Sequence, residues 1–168
     1  GNIGYISLLT FDEGCAEEFK AAIKDLEKQG AKKFILDLRY NGGGLVDEAL
    51  EIINFFLPKG KDVLITVDSN DEKVITKTEK SNITNSELVV LVNEYSASAS
   101  EILVGALKDH GRAKILGTKT YGKGVIQNVF SLLDGSVLKL TIAEYYTPKE
   151  SKINKVGITP DYEVELEE

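Results

Sequence analysis

Methionine and tryptophan are absent from this chain, and cysteine and histidine each occur once in 168 residues. The single cysteine, Cys15, cannot close an internal disulfide, which excludes a disulfide-stapled scaffold. It falls in the first turn of an expected helix and reads as a small packing residue rather than a reactive thiol. Basic residues are also in deficit: 20 Lys and Arg against 27 Asp and Glu leave a net charge of −7 and a pI near 4.9. That balance excludes a nucleic-acid partner, because such affinity rests on neutralising phosphates with Lys and Arg. No apolar run approaches the roughly 20 residues that span a bilayer. Neither a secretory leader nor an initiator methionine opens the chain, so an excised domain is expected.

What is present is ample for a core. The hydrophobic fraction is 42% and the charged fraction 28%, the proportions of a globular domain of ordinary size. Ile3 to Leu9 reads as a strand, and Glu13 to Gln29 as a helix with Ala16, Phe19, Ile23 and Leu26 on one face and Gly30 as its stop. Lys33 to Leu38 is a buried strand, followed by a helix from Val46 to Leu57. A hairpin is expected over Val63–Val67 and Lys73–Thr78, and a buried strand over Glu87–Val92. The next helix runs from Ser98 to His110 with Ile102, Leu103, Ala106 and Leu107 inward. Strands follow at Lys114–Leu116, Val125–Leu132, Val137–Tyr146 and Tyr162–Leu166. This order predicts one α/β domain over residues 1–168. Its sheet is mainly parallel with crossover helices, and antiparallel strands are added toward the C-terminus.

Three segments carry chemistry. Ser96, Ser98 and Ser100 follow an apolar strand and open a helix, where the helix dipole and free N–H groups favour developing negative charge. Helix capping would use the same residue types, and the segment alone leaves both readings open. The only histidine, His110, lies twelve residues after Ser98 on the same expected helix, about 18 Å away at 1.5 Å per residue, too far to serve as its base. Lys123, between Gly122 and Gly124, is the alternative base. A lysine amine accepts a serine proton only when uncharged, a form favoured by burial in a confined, glycine-walled site. Gln127, four residues on, is placed to hold that amine through its amide.

The stretch Gly117 to Gly124 nearly matches a phosphate-binding loop, but Gly124 replaces the magnesium-binding hydroxyl and a strand follows instead of a helix. No nucleotide partner is expected. The third segment is Asp37-Leu38-Arg39-Tyr40-Asn41-Gly42-Gly43-Gly44. Its glycines allow backbone N–H groups to approach a ligand, as an oxyanion hole requires, and Asp37 and Arg39 are placed to pair beside them.

Taken in order, Asp37 to Gly44, Ser96-Ala97-Ser98-Ala99-Ser100-Glu101 and Thr120 to Gln127 resemble the C-terminal processing (tail-specific) serine peptidases, whose core is crotonase- and Clp-protease-like. Tyr146-Thr147-Pro148 and Gly157-Ile158-Thr159-Pro160-Asp161 extend the resemblance over nearly the whole chain. The resemblance implies Ser98 as nucleophile, Lys123 as general base and Gln127 as the residue orienting it. The N–H groups of Gly44 and Ala99 would form the oxyanion hole, and Asp109 would be supportive. The implied reaction is hydrolysis of protein substrates near an exposed C-terminal tail through an acyl-enzyme, with no metal or organic cofactor and in an extracytoplasmic location. Family members carry a PDZ domain, which has no counterpart in this stretch and is expected in the full-length protein. Two other classes remain for comparison: a non-catalytic peptide-binding module, and a crotonase-like acyl-CoA enzyme, for which no acidic base stands beside the glycines.

Overall fold

A computed structural model describes residues 2–165. In chain order its elements are β1 (Ile3–Ser7), α1 (Cys15–Lys28), β2 (Lys33–Asp37), α2 (Val46–Phe56), β3 (Asp62–Asp68), β4 (Lys73–Lys77), β5 (Glu87–Val92), α3 (Ala99–Asp109), β6 (Lys114–Gly117), β7 (Val125–Ser131), β8 (Val137–Tyr146) and β9 (Tyr162–Glu163). The expected segments are present with ends shifted by a residue or two, except the last strand, which stops at Glu163. Leu166, expected to close the last strand, lies outside the described residues.

The strands form two sheets. A five-stranded sheet has the order β1-β2-β5-β6-β9 and is parallel at every pairing. A separate four-stranded sheet, β4-β3-β8-β7, is antiparallel. The expected parallel sheet with antiparallel strands beside it is what the chain forms. The antiparallel sheet also takes in the β3–β4 hairpin, which joins β8 through Ile65↔Tyr146 and its neighbours. The parallel sheet ends in β9, with Leu116↔Tyr162 in register. Local patterns mark a strand by its alternation but carry no record of its partner.

The core explains the helices. α1 buries Ala16, Phe19 and Ile23 and carries Glu17 and Glu18 at its start and Lys28 at its end, matching the helix dipole. Phe19 stacks on Phe55 at 6.4 Å and meets Phe56 edge-on at 6.0 Å, which locks α1 to α2. α3 is buried on every side from Ala99 to Leu107, so it is the central helix. Gly105 lets the Thr147 and Ile158 segments close onto it, since a Cβ there would lie 2.9 Å from Thr147 Cγ2. Both β2 and β5 end at the same edge of the parallel sheet, and that edge is where α/β folds place their sites.

Candidate active site

The turn between β5 and α3 separates the three serines by what each hydroxyl does. Ser96 is fully buried; its Oγ donates to the carbonyl of Leu38 at 2.8 Å and accepts the N–H of Asn93 at 3.0 Å. Ser100 is also fully buried, and its Oγ donates to the carbonyl of Asn41 at 3.0 Å. Ser98 is half-exposed at the N-cap of α3, with φ 58° and ψ −118°. A non-glycine residue at positive φ on a sharp strand-to-helix turn is the geometry that projects a nucleophile outward. Two serines therefore fasten the turn and the middle one is presented.

The glycine loop is laid directly against this turn. Asn41, fully buried, is the fastener: its Nδ2 donates to Leu8 O at 2.8 Å, its Oδ1 accepts Gly43 N–H at 2.9 Å, and its carbonyl accepts Ala97 N–H at 3.0 Å. Gly43 stands at φ +106°, and a Cβ there would lie 2.8 Å from Ser98 Cβ and 3.2 Å from Ala99 N. Only a glycine permits that approach. Phe11 N–H bonds Gly43 O at 3.0 Å and Leu45 N–H bonds Phe11 O at 2.8 Å, which flank Gly44 without using its N–H. Among the described residues, the N–H groups of Gly44 and Ala99 have no protein acceptor. The donor of Gly43, by contrast, is already committed.

A residue given no separate role by the sequence joins these parts to the lysine loop. Glu101, in the first turn of α3, is fully buried. Its Oε2 accepts Ser98 N–H at 3.0 Å and Lys123 N–H at 2.8 Å. Its Oε1 accepts Thr120 Oγ1–H at 2.6 Å and Gly122 N–H at 2.7 Å. Four donors compensate the cost of burying a carboxylate. The outer side of the lysine loop is held by Ile158 N–H to Thr120 Oγ1 at 2.7 Å and Lys155 N–H to Gly122 O at 2.8 Å. Ser98-x-x-Glu101 is the sequence signature of a capping box, the one local signal that marks Glu101.

The side chains are less assembled than the backbone. Lys123 is exposed, so the expected burial is not met. The flanking glycines turn their open faces toward Gly157 and Asn154. Among the described residues no hydrogen bond joins Lys123 Nζ to Ser98 Oγ or to Gln127. Gln127 is exposed on β7, and its Nε2 reaches Thr141 Oγ1 at 3.5 Å. Tyr145 fills the position beneath. It is 2% exposed and donates its hydroxyl to the carbonyl of Lys123. Burial pushes its pKa up, so the phenol stays protonated.

A model of peptidase family S41 matches residues 2–164. The chain belongs to that family. Carboxyl-terminal-processing peptidase 2, chloroplastic, of Arabidopsis thaliana is 49% identical over 162 residues, covering 95% of this chain and 31% of that protein. Carboxy-terminal processing protease CtpA of Bacillus subtilis is 42% identical over 165 residues, covering 98% of this chain and 35% of that protein. The chain thus spans about a third of the length of the curated relatives it matches. The solved photosystem II D1 C-terminal processing protease superposes with a TM-score of 0.91 at 40% identity, over 97% of this chain and 42% of that one. The tricorn protease, at 21% identity and a TM-score of 0.60, shares the fold.

Several other polar groups of this S41 core fasten its loops. Arg39 pairs with Asp37, Nη2 to Oδ2 at 2.6 Å, and Tyr5 donates to the same oxygen at 2.5 Å. Burial opposes the charge of Asp37, but the hydrogen bonds from Arg39 and Tyr5 outweigh it and hold the carboxyl below its ordinary pKa. Asp109 accepts the N–H of Lys149 at 2.8 Å, fastening the loop after β8 and making no contact with the serine turn. His110 is half-buried with Nε2 2.7 Å from the carbonyl of Asp62. The thiol of Cys15 is pushed up to about 11 by burial and by Glu48, which fits an inert packing role.

Proposed function

We propose that this domain is the catalytic core of a serine endopeptidase that cleaves protein substrates near an exposed C-terminal tail. Ser98 Oγ attacks the scissile carbonyl while Lys123 Nζ takes its proton, with Gln127 orienting the amine. The Gly44 and Ala99 N–H groups bind the oxyanion, and the proton passes to the leaving amine as that bond breaks. Water then releases the acyl-enzyme by the reverse proton path. The chemistry requires no metal or organic cofactor. The single observation that carries this reading is the shared Glu101 oxygen, which draws the Ser98 and Lys123 amides together beside two uncommitted N–H donors. Closing the dyad then requires rotation of the lysine side chain, a step that substrate or another part of the full-length chain would supply.

The resemblance to tail-specific peptidases supports a PDZ domain elsewhere in the full-length protein as the tail receptor, with the present chain as a single peptidase domain. It also supports an extracytoplasmic location, with which the chloroplastic relatives are consistent. A serine-reactive phosphonate applied to the full-length chain tests the reading. Labelling at Ser98 that disappears in Lys123→Ala is expected. A folded parent that neither labels nor cleaves unstructured C-terminal tails would overturn it.

A further inference from the structure

Two tyrosines beside the serine turn have no part in the chemistry above. Tyr40 and Tyr95 are 62% and 56% exposed, and their rings stack on each other at 5.4 Å with an interplanar angle of 21°. Tyr40 holds φ +65°, a left-handed conformation that a bulky residue adopts at a cost. The arrangement is built from below. Asn93 is 5% exposed, and its Oδ1 accepts both Tyr40 N–H at 2.9 Å and Tyr95 N–H at 3.2 Å. A buried amide therefore maintains a strained backbone whose product is an exposed aromatic platform. Neither ring is needed to fill the core.

The platform's position gives it a use. Tyr40 adjoins Asn41, the fastener of the glycine loop, and Tyr95 precedes Ser98 by three residues, a span of at most about 11 Å. Tyr40 and Asn93 line a cleft of about 700 Å³ at the carboxyl edge of the parallel sheet, together with Glu94, Lys119, Glu163 and Glu165. Arg39 in that lining is engaged by Asp37 at 2.6 Å and Glu94 by Thr118 Oγ1 at 3.0 Å, while Lys119, Glu163 and Glu165 leave the cleft itself charged. The apolar part of the site is the tyrosine pair, and a stacked aromatic surface suits an apolar side chain whose backbone amides stay hydrogen-bonded.

We propose that the Tyr40–Tyr95 pair and the adjoining cleft form a specificity subsite that takes an aromatic or large aliphatic side chain of the substrate, within three residues of the scissile bond. The spacing follows from an extended peptide advancing about 3.3 Å per residue. The proposal rests on the peptidase reading of the same site, and it predicts why strain is tolerated at Tyr40: a glycine there would relieve the backbone and remove the platform.

The test uses the full-length chain carrying Ser98→Ala, so that binding is read without turnover. The ligands are peptides that the unmodified chain cleaves at a known bond, bearing Phe or Ala at each flanking position. Fluorescence anisotropy is expected to show Phe preferred about tenfold over Ala at one position within three residues of the bond. Tyr40→Gly is expected to reduce that ratio to within twofold while the Ala peptide keeps its affinity. Tyr95→Leu, which retains bulk but removes the stack, serves as the second variant and should erode the Phe preference in the same direction. A preference that persists in both variants, or Phe and Ala affinities that fall together in both, would overturn the subsite. Failure of the parent to label with phosphonate or to cleave any peptide would instead count against the peptidase reading.

Discussion

Ser98 and Lys123 hang their backbone N–H groups on one oxygen of Glu101, at 3.0 and 2.8 Å. The distance between the serine turn and the lysine loop is therefore set by a carboxylate that is fully buried. Glu101 is a positioning residue: it aims two loops at one another and leaves the side chains to complete the site.

Glu101→Gln should disable the enzyme without emptying the core. The amide keeps one acceptor oxygen but presents an NH2 group to donors that need an acceptor. Stability is expected to fall by about 2–3 kcal/mol, read from the urea midpoint, because buried N–H groups lose their partners. Acylation of Ser98 by a phosphonate should slow about 100-fold, the scale of effect that a small misplacement of catalytic groups produces.

The three serines should separate cleanly. Ser98→Ala is expected to abolish phosphonate labelling with little change in unfolding free energy. Ser96→Ala leaves the Asn93 N–H unpaired in the interior and the Leu38 carbonyl with only the Asn41 N–H at 3.1 Å, and should cost about 1–3 kcal/mol while labelling persists. Ser100→Ala should behave like Ser96→Ala, with a smaller loss from its single bond. Mass spectrometry of the labelled peptide, alongside denaturant titration, checks both halves.

Neighbouring glycines should respond in opposite ways. A Cβ at Gly43 would meet Ser98 Cβ at 2.8 Å and Ala97 O at 2.9 Å, in a backbone at φ +106°. Gly43→Ala must push the glycine loop off the serine turn, so the acylation rate should drop at least tenfold with about 1–3 kcal/mol of overpacking cost. At Gly42 a Cβ meets nothing within 4 Å, and Gly42→Ala should stay near the parent in both measurements.

Acid should loosen the glycine-loop side through Asp37. Its folded pKa is lowered, so its contribution to stability is complete above the unfolded carboxylate value of about 3.9 and is lost as pH falls through the lower folded value. Asp37→Asn should therefore flatten the acid limb of the stability–pH curve below about pH 4. It should also lower stability near neutrality, because Arg39 loses its charged partner. Urea midpoints measured from pH 2.5 to 7 would show both effects.

Much of this was legible along the chain. The apolar run of Glu87–Val92 and the one-sided helix of Cys15–Lys28 follow from local burial, and those elements stand close to where the residue pattern places them. The glycines at 42–44 and the Asp37–Arg39 pair also announce themselves, since backbone freedom and opposite charge two residues apart are local properties. Other features depend on residues far away. Three of the four donors to Glu101 come from 19 to 22 residues downstream, so its Ser-x-x-Glu spacing shows the cap to Ser98 and no more. The pairing of β3 with β8, and the parallel docking of β9 on β6, are likewise settled by which surfaces meet.

The sequence by itself determined the materials: which segments are strand or helix, where the backbone can bend, and the absence of a histidine near the serines. Those properties reside in short-range sterics and side-chain chemistry. Only the tertiary structure shows that Ser96 and Ser100 spend their hydroxyls on the Leu38 and Asn41 carbonyls while Ser98 stays half-exposed, because three equivalent hydroxyls differ solely in which distant carbonyls come within reach. It also decided that Gly43 spends its N–H on Asn41 while Gly44 and Ala99 do not, and that Lys123 stands exposed although its backbone is bound. Hydrogen bonds act over about 3 Å, and only folding brings residues dozens of positions apart to that distance.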